Sequence, residues 1–115
     1  MQFIEQYWPL VALVAWFGYK WRAAKQVVRM LPELRQNGAM FVDVRSAAEF
    51  ASGNAPGSIN IPLNELPSRL AELPNDRDVV VFCASGSRSG MAKMMLKAKG
   101  FHNVHNAGTW GNVCG

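Results

Sequence analysis

Charge is scarce in this 115-residue chain: Asp, Glu, Lys and Arg make up 17% of it, against about 25% in an ordinary globular domain. Cysteine and histidine are scarcer still, with two of each. Cys83 and Cys114 cannot form the disulfide scaffold of a small secreted protein. Together with His102 and His105 they offer no zinc-ligand spacing. The net charge of +4 is too small to mark a nucleic-acid partner. Internal repeats and low-complexity tracts are missing as well. What is plentiful is apolar side chain, 50% of the residues, which excludes a disordered chain and suffices for one core. The length matches one domain with little left over.

Part of the charge deficit is local. Between residues 3 and 19 only Glu5 is charged. The densest apolar part, residues 10–19, lies between Tyr7 and Trp8 on one side and Trp21 on the other, and Pro9 suits the first turn of a helix. Aromatics at both ends of an apolar run favour the two interfaces of a membrane. As a helix, residues 3–21 reach roughly 28 Å at about 1.5 Å per residue, close to a ~30 Å hydrocarbon core. No Lys or Arg precedes the run and no small-x-small site follows it, which argues against a cleaved signal peptide. Lys20, Arg22, Lys25 and Arg29 follow, and basic flanks tend to stay in the cytoplasm. The expectation is a hydrophobic helix over residues 1–22 that anchors the chain in a membrane by a single pass, with the domain of residues 23–115 on the cytoplasmic side. The alternative is a helix packed on the domain or on another copy, in a soluble cytoplasmic protein.

Beyond residue 22 the pattern alternates. Val27, Val28, Leu31 and Leu34 recur at helical spacing, with a break expected at Pro32. A short β-branched run follows, from Met40 through Val44. Ser46 with Glu49 three residues later is a capping box that opens a short helix. A loop over residues 53–57 leads to a second short strand, stopped by Pro62. Residues 64–73 read as a helix with Leu66, Leu70 and Leu73 on one face. Val79, Val80, Val81 and Phe82 form an unbroken apolar run, as in a central parallel strand covered on both faces. Residues 87–99 read as a helix with Met91, Met94, Met95 and Ala98 inward, ended by Gly100, and a last short strand follows Phe101. Alternation of this kind predicts an α/β fold: an open, mostly parallel sheet flanked by helices, with right-handed crossovers.

Chemistry concentrates at Cys83. It stands at the carboxyl end of the buried strand, where open α/β sheets bind ligands, and just before a helix begins. The next residues, Ala84, Ser85, Gly86 and Ser87, are small and can curl so that their N–H groups face the sulfur. The helix N-terminus adds positive potential, and Arg88 adds a permanent cation. A free cysteine has a pKa of ~8.5, and such surroundings lower it. The outcome is a nucleophilic thiolate in an anion-binding cradle, able to attack sulfur or phosphorus.

The stretch Cys83, Ala84, Ser85, Gly86, Ser87, Arg88, Ser89 resembles the active-site loop of the rhodanese family of sulfurtransferases. Upstream, Phe41-Val42-Asp43-Val44-Arg45, Glu49-Phe50 and the run from Gly53 through Pro62 resemble that family's first signature. Asn54 and Ala55 stand where His and Ile are frequent. Downstream, Gly100-Phe101-His102-Asn103-Val104 and Ala107-Gly108-Thr109-Trp110 resemble its closing segment. The apolar N-terminus is similar to that of single-domain, membrane-anchored members. This resemblance implies a rhodanese-like fold and a two-step sulfur transfer. Cys83 takes a sulfane sulfur from a donor such as thiosulfate, holds it as a persulfide, and yields it to a thiol or cyanide acceptor, with no cofactor and no metal. It also implies that Arg88 positions an anionic donor, that residues 84–89 bind substrate, and that Asp43 and Arg45 support the architecture.

Two rival readings remain. Tyrosine phosphatases and their rhodanese-like relatives also use Cys, a loop and Arg, but with one residue more between them than the Ala84, Ser85, Gly86 and Ser87 present here. The shorter loop suits one sulfur atom better than a phosphoryl group, and no Asp stands in an evident general-acid loop. A persulfide carrier or binding module that serves a protein partner would use the same Cys83. His102 and His105 are expected to be loop or surface residues, Trp110 to line the site or pack as an ordinary aromatic, and Cys114 to sit in an idle tail.

Overall fold

The inner strands are short apolar blocks, Met40–Asp43 and Val79–Cys83, while the outer ones, Ile59–Asn60 and Val104–Thr109, mix apolar with polar residues. The structure is a computed structural model and describes residues 2–114. Helix α1 covers Gln2–Gln36, β1 Met40–Asp43, α2 Ala47–Ser52, β2 Ile59–Asn60, β3 Val79–Cys83, α3 Ser87–Ala98, β4 Val104–Thr109 and α4 Trp110–Cys114. The strands form one parallel sheet in the order β2-β1-β3-β4. The chain is therefore an α/β protein with a parallel sheet flanked by helices.

Strand β3 is central, and all five of its residues are buried. Side chains alternate across a strand, so β3 feeds two cores. Val79, Val81 and Cys83 face a core built with Val42, Val44, Ile61, Leu66, Ala92 and Leu96. Val80 and Phe82 face the other core, with Leu31, Leu34, Phe41, Ala107 and Val113. Helix α3 thus covers one face of the sheet, while the second half of α1 and the short α4 cover the other. Burial of Phe82 alone is worth about 1.5–3 kcal/mol.

The register between β3 and β4 is interrupted. Val81 pairs with Asn106, but Cys83 pairs with Thr109. Strand β4 therefore carries one extra residue, a bulge next to the end of β3. Gly108, at φ +82°, takes the left-handed conformation there.

Several local expectations need correction. Among the described residues no helix is long and apolar enough to cross a membrane, which overturns the expected single-pass anchor and the membrane location built on it. The apolar run is too short: any stretch of 18 residues across it takes in Gln6 or Lys20, whose polar groups are costly in a bilayer core. Helix α1 also runs unbroken through Pro32. Residues 64–73 form two single 3-10 turns, Leu66–Ser68 and Leu70–Glu72, with Pro67 where a longer helix would need an N–H. On α3 the buried residues are Ser89, Ala92 and Leu96, while Met91 and Met94 are exposed. Met95 packs against the core as expected, whereas Ala98 is exposed, and the helix turns Ser89, Ala92 and Leu96 to the sheet in place of Met91 and Met94.

Candidate active site

Cys83 ends β3 and is buried. Three residues later Gly86, at φ +93°, turns the chain into α3. A side chain here would be doubly costly. The conformation is one that only glycine adopts freely, and a Cβ would lie 3.3 Å from the Gly108 Cα. The loop thus rests directly on the backbone of the β4 bulge.

That turn folds the main chain over the sulfur. The Gly86 N–H donates to Sγ at 2.9 Å and the Ser89 N–H at 3.5 Å. The Ser89 hydroxyl lies 3.5 Å from Sγ. Burial alone raises the Cys83 pKa, but hydrogen bonds from the Ser89 side chain and from the Ser89, Ser85 and Gly86 backbone outweigh it and bring the thiol below its ordinary value. The sulfur is therefore biased toward thiolate by the Ser89 hydroxyl and by the main-chain donors of the loop and the opening turn of α3.

Ser89 is held in turn by its surroundings. Its Oγ donates to Asn106 Oδ1 at 2.7 Å and lies 3.1 Å from the Gly86 carbonyl. Asn106 Oδ1 also accepts from the Gly108 N–H at 2.9 Å. One amide side chain on β4 thus links the bulge, the loop and the helix start.

Arg88 does not stand free. Its Nη1 and Nη2 donate to Glu49 Oε1 and Oε2 at 2.6 and 2.9 Å. Glu49 is itself fixed at the start of α2, where Oε1 accepts from the Ser46 N–H at 3.1 Å and from Ser46 Oγ at 3.0 Å, closing the expected capping box. With Arg88 as the main cause, the Glu49 carboxyl is lowered to about 2.

Asp43 and Arg45 form a buried pair beside the site. Arg45 Nε donates to both Asp43 oxygens at 3.0 and 2.9 Å, and its Nη2 reaches Asp43 Oδ2 at 2.7 Å. The same Nη2 donates to the Gly53 carbonyl at 2.6 Å, and the guanidinium lies 4.7 Å from the Trp110 ring centre. The pair ties the end of β1 to the loop after α2 and to α4. Asn54 contributes to that turn by donating to the Phe50 carbonyl at 2.9 Å.

Of the residues singled out from the sequence, Cys83, Gly86 and Ser89 come together around the sulfur, with the Ser85 backbone adding to the cradle. Ala84, Ser85 and Ser87 form the exposed rim, where the Ser85 and Ser87 hydroxyls lie 3.1 Å apart. Arg88 sits at the edge of the rim, paired with Glu49. His102 is exposed. His105 pairs with Asp78 at 2.9 Å, at the opposite end of β3 from Cys83. Trp110 packs on Arg45. Cys114 is exposed, on a helix anchored by Val113 to the sheet face opposite Cys83. Two residues of the site were not picked out from the sequence. Glu49 stood in the sequence as a helix cap and as part of the family's first signature, not as a partner of Arg88, and Asn106 carries no signal in a single sequence.

A family model described as a rhodanese-like domain matches residues 23–107. The chain is 42% identical over 67 residues to a sulfurtransferase of Allochromatium vinosum, a match covering 58% of this chain and 63% of that protein. It is 40% identical over 70 residues to the thiosulfate sulfurtransferase PspE of Escherichia coli, covering 59% and 67% respectively. The chain thus spans just under two thirds of the Allochromatium protein's length. Among solved structures it is similar to an E. coli rhodanese determined with anions, at 33% identity and a TM-score of 0.62, over 66% of this chain and 92% of that one. On a match that runs from the packed half of α1 into β4, the chain belongs to the rhodanese-like domain family.

Proposed function

We propose that this protein is a sulfurtransferase that carries sulfane sulfur on Cys83. In the first step the Cys83 thiolate attacks the outer sulfur of a donor. With thiosulfate, the sulfur–sulfur bond of the donor breaks, sulfite leaves with the bonding pair, and Cys83 becomes a persulfide. In the second step a thiolate or cyanide attacks the outer persulfide sulfur and leaves as a persulfide or thiocyanate, and the Cys83 thiolate is regenerated. No net oxidation occurs over the cycle, so no redox cofactor is required.

The observation that carries this reading is the cradle of N–H groups from Gly86 and Ser89 on Sγ. A persulfide extends the side chain by a sulfur–sulfur bond of about 2.05 Å, and an outer sulfur there would lie within the curl of the loop, facing donors that cost no reorganisation when its charge develops. The sulfur-transferring relatives support the general reaction, and the thiosulfate named for the E. coli relative makes that donor the first to try.

Intact-mass spectrometry after exposure to thiosulfate tests the proposal. The expected result is a gain of one sulfur atom, mapped to Cys83 and removed by cyanide. Cys83→Ser should fold, take up no sulfur and transfer none. Sulfur uptake elsewhere in the chain, or turnover by the Ser variant, would overturn it.

A further inference from the structure

The two arginines beside the cradle are both already engaged. Arg45 is buried and spent on Asp43 and the Gly53 carbonyl. Arg88 is spent on Glu49 through two parallel bonds, the geometry with which a guanidinium otherwise grips an oxyanion. Neither partner of the second pair is buried: the two side chains are 36% and 37% exposed, so an incoming anion can reach Arg88 but must displace or share Glu49. Glu49 does not swing away freely, since Ser46 holds the same Oε1 that Arg88 uses. Its carboxyl titrates so low that the pair persists at ordinary assay pH.

From this we infer that Glu49 sets donor specificity: by occupying the Arg88 fork it disfavours oxyanionic donors such as thiosulfate and tilts the site toward organic persulfides, whose sulfane sulfur arrives without an oxyanion. The inference rests on the sulfur-transfer reading above. A thiosulfate dianion approaching a thiolate needs a free cation, and the charges of Arg88 and Glu49, like those of Arg45 and Asp43, cancel at close range. A persulfide R–S–SH has no such need. The Cys83 thiolate attacks its outer sulfur, the sulfur–sulfur bond of the donor breaks, the thiolate R–S⁻ leaves with the electron pair, and the proton stays on the transferred sulfur or passes to solvent. Glu49 acts through Arg88 and is a positioning residue.

The test compares thiosulfate with an otherwise uncharged alkyl persulfide as donors, with cyanide as acceptor, in wild type and Glu49→Gln. Glutamine retains an acceptor for the helix cap but releases the guanidinium. KM for thiosulfate should fall roughly two- to fivefold, the scale of one exposed charge contact, with kcat following far less and the persulfide KM nearly unchanged. The gain should shrink as salt rises and vanish when Arg88→Gln is added. If Glu49→Gln lowers the helix content seen by circular dichroism, Glu49→Asp serves instead, a carboxylate one methylene too short to span both nitrogens. An unchanged or higher thiosulfate KM, or an equal shift for both donors, would overturn this inference while Cys83 sulfur uptake still upholds the transfer reading. Wild-type Cys83 that takes up sulfur from neither donor would overturn both.

Discussion

At the scale of single residues the site depends on which proton goes where. Ser89 has one hydroxyl proton and three acceptors within reach: Asn106 Oδ1, the Gly86 carbonyl and Sγ. Its removal takes away one of the contacts that lower the Cys83 pKa. The pH midpoint of Cys83 alkylation should therefore lie below that of a free thiol in wild type, and Ser89→Ala should shift it upward. The direction follows because a hydrogen bond to the charged form favours that form. A midpoint unmoved by the substitution would mean that the main-chain donors alone set it. A second prediction concerns the buried pair. Arg45→Met would leave Asp43 buried without its cation and should cost about 3–5 kcal/mol of stability in denaturant unfolding. Asp43→Asn with Arg45→Met together should recover part of that loss, as an uncharged pair leaves no unbalanced charge.

The same scale separates what one sequence can and cannot reveal. Cys83 and its loop were legible because the nucleophile, the small residues and the helix start are contiguous, so a single short run carries the geometry. Glu49 lies 39 residues from Arg88, and Asn106 lies 17 from Ser89. Those contacts arise only when the strand order brings β1 and β4 to either side of β3. Nothing in the local pattern announces them: Glu49 stood in the sequence as a helix cap and as part of the family's first signature, and neither reading points to Arg88.

At the scale of elements, loop and bulge act as one fitted joint. Gly86→Ala would place a Cβ 3.3 Å from the Gly108 Cα in a left-handed conformation. Backbone strain of that kind costs about 1–2 kcal/mol, and the close contact makes the loop or the bulge give by a few tenths of an ångström. We expect sulfur uptake to fall by more than the modest drop in thermal midpoint would suggest, measured as initial rates well below the melting range. An uptake rate near that of wild type would show that the cradle tolerates displacement. The helices taught a different lesson about pattern. The Leu31 and Leu34 face of α1 was readable from its spacing, because large aliphatic residues there meet the sheet directly. The buried face of α3 was legible only in part: Met95 packs on the core as its spacing suggests, but the fully buried positions are Ser89, Ala92 and Leu96, and a polar Ser and a small Ala carry little hydropathy signal.

For the molecule as a whole, α1 leads two lives. From Val27 onward it contributes to the core below the sheet. Before that it exposes Trp8, Leu10, Val14, Trp16 and Trp21. As the core contacts begin so late, removal of residues 1–21 should leave the fold and the Cys83 sulfur uptake in place. The check is an unfolding free energy from denaturant titration within about 0.5 kcal/mol of the full chain, the usual range for changes away from the core, together with an undiminished mass gain at Cys83. Loss of cooperative unfolding in the shortened chain would show that the exposed half of α1 is needed by the domain.

Strand β4 lies at the edge of the sheet, with β3 as its one neighbour in the strand order. Yet it supplies Asn106 and Gly108, on which the loop above Cys83 rests. Edge segments open more readily than the strands they flank, through brief local excursions that leave the rest of the protein folded. Each such excursion would take the floor from under the loop and let the ring of N–H groups relax. On that expectation the lifetime of a competent cradle follows local opening of β4, read as amide exchange along residues 104–109, more closely than the global unfolding free energy. Two variants of equal overall stability can differ in how long they guard a bound sulfur.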